Sequence, residues 1–122
     1  MISQKSYLIK AIYDWCLDNS LTPFLATVVD GKTSVPRQYV QHGQVVLNLS
    51  PIATNDLQID YEWITFKATF GGVVYDISIP ISNVIAIFAQ ESGQGMQFNV
   101  ELKPDDDKSE VKNTNGNLRL VK

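Results

Sequence analysis

The chain has 122 residues, 44% hydrophobic and 19% charged, with 10 Lys and Arg against 13 Asp and Glu. That length suits one domain, the hydrophobic share excludes global disorder, and a net charge of −3 speaks against a nucleic-acid binder. A single cysteine, Cys16, rules out an intramolecular disulfide and a cysteine-rich zinc site. The longest apolar run, Val84 to Ala89, is far short of the ~20 residues a membrane helix needs. With no signal-peptide pattern at the N-terminus, the chain reads as soluble and cytoplasmic.

Residues 6–19 read as a helix, with Ser6 as N-cap and neither Gly nor Pro to interrupt the run. On the helical wheel Lys10, Asp14 and Asp18 form one narrow stripe, and the rest of the circumference is apolar. A helix so widely apolar needs more than one covering partner. Either a second subunit in a two-fold dimer or a deep groove within the chain supplies it.

Strand patterns follow. Phe24 to Val29 is β-rich and ends at Asp30-Gly31; Val35 to Gln41 reads as an irregular extended piece because Pro36 cannot donate to a ladder. His42-Gly43 is a turn leading into a strand from Gln44 to Leu49, and 51–60 reads as a loop with room for a helical turn. Glu62 to Phe70 alternates, with Ile64, Phe66, Ala68 and Phe70 on one face. Gly71-Gly72 signals a hairpin whose return strand is Val73 to Ile79. Val84 to Gln90 is a continuous apolar run, for which period alone does not separate a buried strand from a short helix. Met96 to Val100 is a candidate last strand. The fold class is therefore mainly β, with one N-terminal α-helix.

From Lys103 to Asn117 the sequence KPDDDKSEVKNTNGN has one apolar residue, too few to offset its ordering entropy, so a disordered tail is expected. It ends in the apolar and basic LRLVK, either an incidental terminus or a short docking motif. Nothing supports catalysis. The lone His42 sits at a turn tip, Cys16 has no neighbour in sequence to stabilise a thiolate, and no nucleophile, phosphate-loop or calcium-loop motif occurs. No metal or cofactor is expected. Ala68, small between two phenylalanines, either opens a groove for an extended peptide or makes room for the helix in the core.

The runs YLIKAIYDWCLDNSLTPFL (Tyr7–Leu25), VPRQYVQHGQVVLNLSP (Val35–Pro51), FKATFGG (Phe66–Gly72), IPISNVIAIFAQESGQGMQF (Ile79–Phe98) and the terminal LRLVK together resemble the SspB (stringent starvation protein B) family of specificity adaptors for the ClpXP protease. The resemblance implies a small Sm-like two-sheet β domain over 1–102, a flexible linker over 103–117 and a ClpX-docking motif over 118–122. It implies a homodimer built on the helix, for which Leu8, Ile12, Trp15 and Cys16 are the contact candidates. It also implies a groove for ssrA-tagged polypeptides, with Ala68 as its small residue. The walls chosen are Phe66, Lys67, Thr69 and Phe70, with Val46, Leu47 and Asn48 on the preceding strand. Leu118, Arg119, Leu120, Val121 and Lys122 match the motif that docks on the N-terminal zinc-binding domain of ClpX, Leu120 standing where valine is more usual. Family tails are commonly much longer than this one. The rival reading, an Sm-like RNA-binding protein, needs a basic, aromatic-studded face, and residues 1–102 carry 5 basic against 9 acidic residues.

Overall fold

The computed structural model describes residues 2–100. Helix α1 (Gln4–Asp18) begins two residues before the expected start. Its N-cap is Ser3, whose hydroxyl accepts from the Lys5 main-chain N–H at 3.1 Å, while Ser6 is buried one turn in with no partner for its Oγ. The expected cap is therefore corrected: the amides two and three residues past Ser6 already bond within the helix, whereas that of Lys5, two past Ser3, has no helical carbonyl to reach. The helix closes with Ser20 in the left-handed region (φ 58°), Leu21 N–H donating to the Cys16 carbonyl (2.8 Å) and Ser20 N–H to that of Leu17 (3.2 Å). This is a Schellman closure with serine in glycine's usual place.

Among the described residues, seven strands form two antiparallel sheets. β1 (Pro23–Val28), β2 (Gln44–Asn48), β6 (Val84–Ala89) and β7 (Gly95–Gln97) make the first, in the order β2-β1-β6-β7. β3 (Asn55–Ile59), β4 (Trp63–Phe70) and β5 (Val73–Pro80) make the second, in the order β3-β4-β5. Period-2 alternation sends Leu25, Val45 and Leu47 from the first sheet, and Ile64, Phe66, Ala68, Ile77 and Ile79 from the second, into one shared core. Helix α1 adds Ile9 to that core and packs chiefly along β6 and β1.

Two expectations change and one open alternative closes. The segment 51–60 contains β3, whose sequence NDLQI lacks alternation; its pairing with β4 makes it a strand, with a register irregularity between Asn55 and Gln58 and Asp56 at φ 56°. The piece after Pro36 is a 3-10 turn, Arg37–Tyr39, rather than extended chain, since proline's fixed φ (here −63°) suits the entry to such a turn. The apolar run 84–90 resolves as strand β6, placed between β1 and β7. At the corner between the sheets, Ser34 and Ser78 exchange main-chain hydrogen bonds of 2.9 and 3.0 Å. Beneath them Asn83 Nδ2 donates to Thr33 Oγ1 at 3.1 Å, and Thr27 Oγ1 donates to the Asn83 carbonyl at 3.0 Å. These buried groups satisfy one another where the sheets join.

Candidate functional site

Hydrogen-bond parity locates the open main-chain groups. Leu49 N–H donates to the Pro23 carbonyl and Val29 N–H to that of Gly43, both at 2.8 Å. Odd-numbered residues of β2 thus bond toward β1, and the N–H and C=O of Val46 and Asn48 point the other way. On that side β2 has no neighbouring strand. The same reasoning applies to β4. Phe70 pairs with Val73 across the two-residue turn Gly71-Gly72, whose φ values of 58° and 82° fit a type I′ hairpin. Phe70 and Ala68 therefore bond toward β5, and Lys67 and Thr69 bond away from it. Lys67 finds Asn55 of β3, but β3 ends there, which leaves the Thr69 main chain open.

The connector 49–54 runs from the end of β2 to the start of β3, and the space along it, between the two open edges, is the seam. β3 runs antiparallel to β4, so the residues of β4 beyond Lys67 run back beside the connector 49–54 toward β2. Ala68 is 7% exposed and belongs to the shared core, one residue before the open Thr69 main chain. The sequence-derived wall residues divide by strand parity. Val46, Asn48, Lys67 and Thr69 are accessible, whereas Leu47 and Phe66 are buried in the shared core and Phe70 is half-buried.

An aromatic cluster that the sequence reading missed stands at the hairpin end of the seam. Tyr39 packs against Phe70 with ring centroids 5.2 Å apart, and Tyr75 meets Phe70 edge-on at 5.7 Å. Gln38 Nε2 donates to the Tyr75 hydroxyl at 3.2 Å. The available signal was the tripeptide RQY directly after Pro36, since a 3-10 turn there aims Gln38 and Tyr39 at β5 and β4.

The helix residues also divide. Cys16 is fully buried against its own chain, and burial, followed by the charge of Glu91, pushes its thiol pKa up. Leu8, Ile12 and Trp15 lie half-buried along one flank, and Ala11 and Leu17 are exposed. Lys10 and Asp14 pair at 2.9 Å on the polar stripe. Lys5, its pKa lowered by desolvation, reaches the Ser82 carbonyl (3.2 Å) and lies 5.2 Å over the Phe98 ring. A shallow concavity of about 770 Å³ is lined by Ala26, Ala86, Phe88, Gly95 and Met96 among others, Ala26 being the cross-strand partner of Val46. His42 is exposed at φ 56° in the two-residue turn before β2. Among the described residues, no group of three or more His, Cys, Asp and Glu comes together to hold a metal, and no helix is long and apolar enough to cross a membrane. The tail residues Leu118 to Lys122 lie outside the described residues.

A family model described as SspB, stringent starvation protein B, matches residues 3–119. The chain is also similar to a stringent starvation protein B homolog from Haemophilus influenzae, 46% identical over 101 residues. That alignment covers 80% of this chain and 66% of the relative's own length. A match running from the first turn of α1 to the terminal motif takes in both sheets and the seam between them, and on that extent the chain belongs to the stringent starvation protein B family.

Proposed function

We propose that this protein is a non-enzymatic adaptor that captures an extended peptide in the seam between its sheets and delivers it to an unfoldase. The carrying observation is the pair of open strand edges, Val46 and Asn48 on one side and Thr69 on the other, with Ala68 of the shared core next to Thr69. An extended segment entering there adds a strand that bridges the two sheets, and its main chain takes up the unpaired N–H and C=O groups. Family membership supports ssrA-tagged polypeptides as the ligand and ClpX as the partner reached by Leu118 to Lys122. It also supports a cytoplasmic homodimer, for which the half-buried flank of Leu8, Ile12 and Trp15 is available. The two contacts, tag to seam and tail to ClpX, become one tight assembly because the second is effectively intramolecular.

The test is fluorescence anisotropy of a dye-labelled ssrA peptide titrated with the full chain and with Ala68→Gln. The expected result is saturable binding at about 10 µM or tighter, weakened more than about tenfold in the variant. Circular dichroism of both proteins confirms that the variant is folded. Equal binding by Ala68→Gln would remove the seam as the site.

A further inference from the structure

The first sheet turns Leu25 and Ile87, both fully buried, toward the shared core, so the residues between them set its other face. Register places these in two cross-strand rows, Val46–Ala26–Ala86–Gln97 and Asn48–Phe24–Phe88–Gly95. Small residues at Ala26, Ala86 and Gly95, against the Phe88 ring, leave the concavity of about 770 Å³. Among the described residues, none that lines it is charged and none belongs to α1.

β7 closes this sheet with main chain to spare. Ala89 N–H donates to the Gln94 carbonyl at 2.8 Å and Phe98 N–H to that of Ile85 at 2.7 Å, so the even-numbered residues here bond toward β6. By parity the N–H and C=O of Gly95 and Gln97 point away from β6, and among the described residues no strand lies beside them. Gly95 and Gln97 also line the concavity, so the open edge and the apolar hollow adjoin.

Resting on the reading of 118–122 as the ClpX motif, we propose that this segment adds as a strand along β7, with its leucines over the concavity, and is thereby withheld from ClpX part of the time. Within 101–117 the apolar residues are Leu102, Pro104 and Val111, whereas Leu118, Leu120 and Val121 gather in one short segment with most to gain from burial. In an added strand Leu118 and Leu120 share one face, which suits a hollow beside the edge they pair with. A flexible tether the length of 101–117 would have a root-mean-square span of roughly 20–25 Å. From β7 to β1 the face is two strand spacings across, about 10 Å. The segment is therefore within reach, at an effective concentration on the order of 1 mM. A contact with a Kd of about 1 mM is then half-formed, which doubles the apparent Kd for ClpX.

The experiment compares amide and methyl NMR spectra of the full-length chain and of full-length Leu118→Ser/Leu120→Ser, each at two protein concentrations. The Gly95 and Gln97 amides and the Met96 methyl should differ between the two proteins, equally at both concentrations. Identical signals at these three residues would overturn the docking. A difference that grows with protein concentration would overturn it as well, because a second copy would then occupy the face. In parallel, the ClpX N-terminal domain is titrated against the full-length chain and Ala26→Lys, which sets a cation in the hollow against Arg119 and Lys122. Ala26→Lys should bind at least about twofold tighter, and equal binding by a folded variant would overturn the competition. Where neither protein binds ClpX but the spectra differ as expected, the ClpX reading fails and the self-docking stands.

Discussion

Glu91 accepts from the Thr22 main-chain N–H at 2.8 Å and from the Thr22 hydroxyl at 2.7 Å, tying the turn after β6 to the entry of β1. These donors, the main-chain one first, hold its carboxyl below the usual glutamate range. Because the folded value lies below the unfolded one, the bond stabilises the fold at pH values above the unfolded pKa. That contribution is lost as pH falls through the folded value. A side-chain NMR titration should place the Glu91 midpoint below that of an ordinary glutamate, and Thr22→Val should raise it. At Gly95 the constraint is space: a Cβ there would overlap the Ile87 carbonyl oxygen across the β6–β7 pairing. Gly95→Ala should therefore lower stability by about 1–3 kcal/mol in urea unfolding, since the obstacle is main chain and cannot rotate away. Neither residue stood out in the sequence, because the partner of each lies in a different strand or turn.

Among the elements, α1 separates two serines three residues apart. Ser3→Ala removes the hydroxyl that receives the Lys5 amide and should destabilise the protein by about 1 kcal/mol. Ser6→Ala removes a buried, unpartnered hydroxyl and should be neutral or stabilising by up to about 1 kcal/mol. Thermal or urea unfolding of the two variants reads the difference in sign. A cap at Ser6 would reverse it. The helix and the strands β1, β2, β4 and β5 were legible because each carries its own periodicity or turn: the apolar wheel, the alternation of Ile64, Phe66, Ala68 and Phe70, the Gly71-Gly72 hairpin. β3 was not legible. Its residues Asn55 to Ile59 have poor strand character, and the edge of β4 makes them a strand.

For the whole molecule, the proposed division is a ligand-holding body and a tethered docking motif. Deleting Leu118 to Lys122 should leave peptide affinity unchanged and abolish the enhancement of ClpXP degradation, read in a parallel binding and proteolysis assay. A flexible tether of 15 residues, the length of 103–117, would have a root-mean-square span of roughly 20 Å and a limit of about 50 Å. Shortening a tether raises the effective concentration only until it no longer reaches, so deleting about half of this linker should reduce delivery. Unchanged degradation would contradict that.

By itself the sequence determined what is local or compositional: the N-terminal helix, a series of β-strands, an acidic composition, and the family. Side-chain period and turn residues act over a few positions and need no partner to be read. Tertiary structure alone decided which wall residues are reachable. Val46 and Leu47 are adjacent in sequence, yet one is 54% exposed and the other 3%. Only the pairing of β2 with β1 and the end of β3 at Asn55 show which main-chain groups stay open. Tyr39 joins Phe70 and Tyr75 across some thirty residues of chain, by a contact that no sequence period encodes. Strand pairing fixes hydrogen-bond parity, and parity sets what the seam presents to a ligand.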